Sequence, residues 1–176
     1  MTMAWLLIGQ DRHPFGTKSD AIYLIIEGRY SDFMIFMAST GISAEKTAGE
    51  ISQILSRSGL VKYIQFEYDN GDISGVSFII MNGETRVPFR LPARVDAMLT
   101  AMKNDRKTPR HLCNLDQARR VEWRQLLRWV EAQMARVETG SADMKEIFFP
   151  YLIGTGGKTL YEIAEQNQFL IEYKEE

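Results

Sequence analysis

Two Asn-Gly pairs, Asn70-Gly71 and Asn82-Gly83, constrain the fold of this chain more than any other feature of its sequence. Each pair separates two runs rich in apolar and β-branched residues that alternate with polar ones, and Asn-Gly between such runs is the strongest short-range signal for a β-hairpin. The runs cover residues 63–68, 73–80 and 85–91. The sequence therefore predicts an antiparallel meander in the middle of the chain.

Helical spacing of apolar residues predicts a helix on each side of this meander. Ser43 is a good N-cap, the apolar positions that follow repeat as on a helix, and Gly59 suits a left-handed cap, which predicts a helix over residues 44–58. Pro92 is suited to the first turn of the next helix. One face of that helix carries Val95, Met98, Leu99 and Met102.

The dominant predicted element is a helix of about 25 residues that begins at Asn114 or Asp116 and ends at Gly140. At 100° per residue, one narrow apolar stripe contains Trp123, Leu126, Leu127, Val130, Met134 and Val137. A second apolar patch on the opposite side contains Ala118, Val121, Trp129 and Ala132. We expect the sheet to cover one side of this helix and the C-terminal helices to cover the other, with both tryptophans in the core.

Three further runs in the first 40 residues, at 5–8, 22–27 and 33–37, are typical of strands. The sequence therefore predicts an α+β fold in which an antiparallel sheet of about six strands packs against the long helix and a helical C-terminal half. With 176 residues, 45% of them hydrophobic and 25% charged, we expect one domain. Residues 1–91 would form a strand-rich layer with one helix, and residues 92–176 a helical layer.

Several functional classes are not supported by the sequence. No apolar run approaches the roughly 20 residues of a membrane span, and the N-terminus lacks the features of a secretory signal, so we expect a cytoplasmic protein. One cysteine, Cys113, and two histidines, His13 and His111, do not provide a disulfide or a structural zinc cluster. No catalytic motif indicates an enzyme class, and we expect no metal and no cofactor.

Positive charge is concentrated in one part of the chain. Residues 86–136 carry 12 Lys and Arg against 5 Asp and Glu, whereas the whole chain has a formal net charge of −2. Such a basic block produces a local positive field that attracts phosphate or an acidic partner. The alternative is neutralisation within the molecule by the two acidic ends of the chain, residues 1–85 with 6 Lys and Arg against 10 Asp and Glu and residues 137–176 with 3 against 8.

Two groups of cations within this block are predicted to bind nucleic acid or another anion. The first lies in the connector, which we define as residues 104–111, and contains Arg106, Lys107 and Arg110 beside His111. The second is a row on the long helix at i, i+4 spacing, Arg120, Arg124 and Arg128, with Glu131 as the only acid in the same sector. Three guanidiniums exceed one carboxylate, and arginine binds phosphate bidentately. The alternative is that Asp or Glu from the acidic ends of the chain pair with the row, or that the arginine stems lie over the edges of the core.

Two other motifs invite a chemical interpretation that their spacing does not support. The stretch from Gly154 to Thr159 resembles the end of a phosphate-binding loop, but Leu152 occupies the position of the required first glycine. A glycine-rich turn, with Lys158 or Thr159 opening the last helix, accounts for it better. The carboxylates of residues 67–72 lack the spacing of a calcium loop and are better explained by a hairpin turn.

Several segments resemble a mostly uncharacterised family of phage and prophage proteins, over about residues 42–165. The segments are residues 42–47 (Ile-Ser-Ala-Glu-Lys-Thr), 91–94 (Leu-Pro-Ala-Arg), 118–124 (Ala-Arg-Arg-Val-Glu-Trp-Arg), 129–133 (Trp-Val-Glu-Ala-Gln), 148–152 (Phe-Phe-Pro-Tyr-Leu) and 158–162 (Lys-Thr-Leu-Tyr-Glu). The resemblance implies a small phage-encoded protein of the host cytoplasm. It suggests DNA metabolism or interference with host defence as roles.

Three functional hypotheses follow from the sequence. The first is a non-enzymatic nucleic-acid-binding accessory protein of phage replication, recombination or regulation, with single-stranded DNA as the favoured partner and the 106–128 surface on the phosphates. The second is a protein-interaction module, such as an inhibitor of a host defence complex. The third is binding of a nucleotide or phosphoester by Arg120, Arg124 and Lys158. An acidic strand-rich half and a basic helix would also suit a homodimer.

Overall fold

The computed structural model describes residues 34–167, which fold as an α+β protein. The helices are α1 (Ala44–Arg57), α2 (Val95–Asn104), α3 (Leu115–Glu138), α4 (Met144–Phe148) and α5 (Leu160–Gln166). The strands are β1 (Val61–Asp69), β2 (Asp72–Asn82) and β3 (Thr85–Pro92), which form an antiparallel sheet in the order β1-β2-β3. The predicted meander and fold class are confirmed.

The two hairpin turns differ in which residues form them. In the first, Asp69 pairs with Asp72, and the loop residues Asn70 and Gly71 have φ of 50° and 89°, as a type I′ turn requires. In the second, Asn82 pairs with Thr85, so the two loop residues are 83 and 84 rather than the Asn-Gly pair itself. Gly83, at φ 61°, occupies the first loop position, which type II′ turns reserve for glycine.

Helix α1 begins and ends close to its predicted positions. The Ser43 side chain accepts a hydrogen bond from the Lys46 backbone N–H, which caps the first turn, and Gly59 follows the helix at φ 68°. The buried side of α1 includes Ile51 and Leu55, which pack on the sheet and on α3. The helix therefore brings its polar residues alongside the long helix.

The main core lies between one face of the sheet, α1, α3 and the C-terminal segment. The Phe78 ring stacks on Phe89 at 5.4 Å between centroids, and Phe148 of α4 meets Phe78 edge-on at 5.3 Å. Trp123 is fully buried, and the half-buried Trp129 packs edge-on against Phe148. Both tryptophans therefore have the core role that we predicted.

Helix α3 also confirms most of its predicted burial pattern. It is capped by the Asn114 side chain, which accepts from the Gln117 N–H, so Asp116 lies inside the first turn. Ala118 and Val121 pack with Met102 of α2 in a second, smaller cluster. Ala132 is exposed, contrary to the prediction that it belongs to an apolar patch. None of the helices in residues 34–167 is long and apolar enough to cross a membrane.

Two predicted element boundaries are wrong for the residues described. Residues 34–37 of the predicted strand 33–37 are not in a strand, and residues 36–39 form a turn in which the Ala38 N–H donates to Ile35 O and Met37 has φ 65°. Side chains of α3 donate to the backbone carbonyls of Phe36, Ala38 and Thr40. Pro92 does not open α2 but ends β3 opposite Gly75, at a sheet position where proline's missing N–H is tolerated. The other two predicted N-terminal strands, 5–8 and 22–27, lie outside the described residues.

Candidate anion-binding surface

The connector exposes its cations because its one acid is turned inward. Asp105 is only 7% exposed, and its carboxylate accepts hydrogen bonds from the Lys107 backbone N–H at 2.9 Å and the Thr108 hydroxyl at 2.5 Å. These bonds fold the chain back at the end of α2, so that Arg106, Lys107, Arg110 and His111 are exposed. The burial of Asp105 thus leaves a positively charged surface.

Arg110 has a structural contact as well as an exposed position. Its Nη1 donates to the backbone carbonyl of Lys103 at 2.7 Å, in the last turn of α2. A cation there interacts favourably with the negative end of the helix dipole. The contact fixes the guanidinium of Arg110 against the end of α2, while the residue remains exposed.

Arg124, the central residue of the predicted row, is buried and paired. Its side chain is 7% exposed, and its Nη1 donates to Glu50 Oε2 of α1 at 2.5 Å. Its Nε is also buried and has no hydrogen-bond partner in the described part of the chain. Arg124 therefore lies in the contact between α1 and α3 and forms an ion pair across it, rather than facing solvent. The prediction of anion binding by Arg124 has no geometric support.

The other two arginines of the row have different surroundings. Arg128 is exposed and donates to Glu131, three residues further along the helix, at 2.6 Å. Such an exposed pair contributes little and exchanges readily with another anion. Arg120 is half-buried and makes no ion pair with residues 34–167. The predicted row therefore consists of three arginines in three environments, of which Arg128 is the most accessible.

The sequence did not identify Glu50 as the acid that pairs with the row. The alternative that acids from the two acidic ends pair with the row does include it, since Glu50 lies within residues 1–85. The available signal was the position of Glu50 near the middle of the predicted helix 44–58, but sequence spacing within one helix does not reveal which residues of a second helix it faces. In the structure α1 packs along α3 and brings Glu50 to Arg124.

The glycine-rich segment forms a turn, as predicted. Residues Thr155–Gly157 make a tight turn in which Gly156 and Gly157 have positive φ. The Thr159 hydroxyl caps α5, and the Glu162 carboxylate accepts from the Thr159 N–H at 2.7 Å. Lys158 donates to Gln166 Oε1 at 2.7 Å. Lys158 and Arg124 thus belong to separate contacts, and nothing here supports a nucleotide site that combines them with Arg120.

Glu162 links this turn to the sheet. Its carboxylate accepts from Arg90 Nη2 of β3 at 2.8 Å as well as from the Thr159 N–H. The Thr159 hydrogen bond, and secondarily the Arg90 charge, hold the pKa of the Glu162 carboxyl below its ordinary value, although burial opposes them. This structural contact connects two regions that the sequence alone did not bring together.

A cleft of about 640 Å³ lies between the first hairpin turn, the start of α2 and α5. Its charged lining consists of Asp69, Asp72, Asp96, Glu162 and Glu165 with Arg94 and Arg119. The Arg119 guanidinium donates to Asp72 and Asp116, so part of this charge is neutralised. No group of three or more side chains in residues 34–167 is arranged to hold a metal ion.

Fold and surface together define a meander-and-helix α+β protein with an exposed basic connector. No family model, curated protein or solved structure matches this chain.

Proposed function

We propose that this chain is a non-enzymatic nucleic-acid-binding protein whose connector contacts the phosphate backbone. The observation that carries the proposal is the inward-facing carboxylate of Asp105, beside which Arg106, Lys107 and Arg110 are all exposed at the protein surface. Clustered, exposed cations are what binding to a phosphate backbone requires.

Arg128 extends the proposed interface along α3. It lies 13 residues beyond Leu115, or about 20 Å along the helix at the standard rise. That distance corresponds to several phosphates of an extended strand, and its partner Glu131 is exposed enough to release it. Together with the phage resemblance, this favours an accessory role in phage replication, recombination or regulation in the host cytoplasm.

The proposal is tested by fluorescence anisotropy with labelled single-stranded DNA, duplex DNA and RNA at low and near-physiological salt. We expect salt-sensitive binding that the triple change Arg106→Gln, Lys107→Gln and Arg110→Gln weakens on the order of 100-fold. A matched triple change elsewhere on the surface, Arg57→Gln, Lys62→Gln and Arg136→Gln, removes the same charge and is the control. Equal losses in the two triples, or no binding at low salt, would overturn the proposal.

A second function, protein interaction, is favoured by a different surface. In the strand order β1-β2-β3, strand β1 lies at one edge of the described sheet. At the other edge, Leu152 forms a β-bridge with Phe89 of β3. Leu60, Tyr63 and Tyr68 in and before β1 are all strongly exposed. Exposed apolar residues on an edge strand are typical of surfaces that accept a strand from a partner protein.

This second function is tested by pull-down of host and phage proteins with the wild-type chain and with a Tyr63→Ser, Tyr68→Ser variant. Retention of a specific protein by the wild type and its loss from the variant would favour interaction through β1. Retention that depends instead on the connector residues would exclude it.

A further inference from the structure

Phe36 is a solvent-exposed aromatic residue in a segment that is hydrogen-bonded to the connector. Its side chain is 60% exposed, and that of Met34, two residues earlier, is 47% exposed. Ile35, between them, packs instead against the cluster of Met102 and Val121. Ile35 therefore packs into the protein, whereas the ring of the neighbouring Phe36 is exposed to solvent.

The backbone beneath this ring is held by side-chain amides of α3. Gln125 Nε2 donates to the Phe36 carbonyl at 2.8 Å, while Gln117 Nε2 donates to the carbonyls of Ala38 at 2.8 Å and Thr40 at 2.9 Å. Gln117 is itself buried. A ring on a backbone fixed in this way loses little conformational entropy when a ligand stacks on it.

The same turn is bonded directly to the connector. The Ile35 N–H donates to Asp105 Oδ2 at 3.4 Å, and this carboxylate also accepts from Lys107 N and the Thr108 hydroxyl. On the other side, Gln125 lies one helical turn before Arg128. The backbone around Phe36 is thus bonded both to Asp105, next to Arg106 in the connector, and to Gln125, three residues before Arg128.

We infer that the Phe36 ring is a stacking platform for an unpaired base of a single-stranded nucleic acid, DNA or RNA. The inference rests on the proposed function and adds the strandedness of the ligand. Proteins that bind single strands combine a basic track for the backbone with aromatic side chains on which bases stack. A duplex keeps its bases within the helix and offers this ring no free π-face.

The test uses Phe36→Leu, which keeps an apolar side chain but removes the π-face, and Phe149→Leu as its control. Phe149 is 59% exposed and lies in the turn Phe149–Tyr151, which contacts β3, α4 and α5. The probes are labelled oligothymidylate and oligouridylate of about 20 nucleotides, a duplex, and an abasic oligonucleotide of the same length. We expect Phe36→Leu to weaken both single strands about tenfold and to leave duplex and abasic binding unchanged.

A second variant, Phe36→Trp, retains a π-face and is expected to bind single strands at least as tightly as the wild type. Single-strand affinity that Phe36→Leu leaves unchanged, or that Phe149→Leu lowers equally, would overturn the stacking role. If the stacking role fails but the connector triple variant still weakens binding, the proposed function is retained. Absence of any wild-type binding would overturn both. A preference for one of the two oligonucleotides identifies DNA or RNA as the ligand.

Discussion

The connector and the middle of α3 both contain several cations, yet those of the connector are exposed whereas the central arginine of α3 is buried and paired. In the connector, Asp105 is buried on backbone and hydroxyl donors, and the cations beside it are exposed. In α3, Arg124 is buried and its charge is taken by Glu50 from another helix. The availability of a cation for a ligand therefore depends on where the nearest acid points, which the local sequence spacing does not reveal.

The largest effect on stability is expected for the buried ion pair of Arg124 with Glu50. Glu50→Ala leaves the Arg124 guanidinium buried without its partner, and we expect a loss of about 2 kcal/mol in the free energy of unfolding, below the range for a fully buried pair because Glu50 is partly exposed. Urea denaturation measures this loss. As the control, Glu131→Ala removes the exposed partner of Arg128 and should cost less than about 0.5 kcal/mol.

Replacing both members of the buried pair sharpens this prediction. Because a buried ion pair is often no better than an apolar pair of similar volume, Glu50→Leu combined with Arg124→Met should restore most of the stability lost in Glu50→Ala. A double variant as unstable as Glu50→Ala would mean that the loss comes from packing of the Glu50 side chain and not from an unpaired charge.

The ion pair of Glu162 with Arg90 is intermediate in burial between the pairs of Arg124 and Arg128, since both of its side chains are partly exposed. Glu162→Gln should lower the free energy of unfolding by about 1 kcal/mol at neutral pH, because it weakens the capping box of α5. Since the folded state lowers the pKa of Glu162, its contribution is present above about pH 4.5 and is lost as the pH falls through the lowered value. Denaturation at several pH values should show the difference between variant and wild type shrinking in acid. A constant difference would contradict the assignment.

The smallest effect is expected at the exposed end of α3. Arg128→Ala removes only a surface pair with Glu131, so its stability should stay within about 0.5 kcal/mol of the wild type. If Arg128 contacts one phosphate of a single strand, the slope of log affinity against log salt should flatten by about 0.7. A slope equal to that of the wild type would remove Arg128 from the interface.

The elements with strong local signals were predictable from the sequence. The hairpins, the capped helix α1 and the long helix α3 all follow from turn residues, caps and apolar spacing within a few residues of one another. The turn at residues 36–39 was not, because two of its backbone carbonyls accept hydrogen bonds from Gln117 and Gln125, which lie 79 and 89 residues away along the chain.

The candidate surface was predictable only in part, for the same physical reason. The composition of the connector located a basic segment, but the pairing of Arg124 with Glu50 depends on how two helices pack. The exposure of Phe36 likewise depends on Ile35 being the residue that packs against α2 and α3. The apolar run at residues 33–37 indicated only a strand.

The central claim is that the connector, and not the buried part of the arginine row, binds phosphate. Its most direct test is the salt dependence of oligothymidylate affinity for three proteins: the wild type, the connector triple glutamine variant, and Glu50→Gln combined with Arg124→Gln. The last variant leaves the net charge unchanged. We predict a slope about 2 units flatter for the connector variant and a wild-type slope for the helix variant. A flatter slope for the helix variant, with a wild-type slope for the connector variant, would contradict the claim.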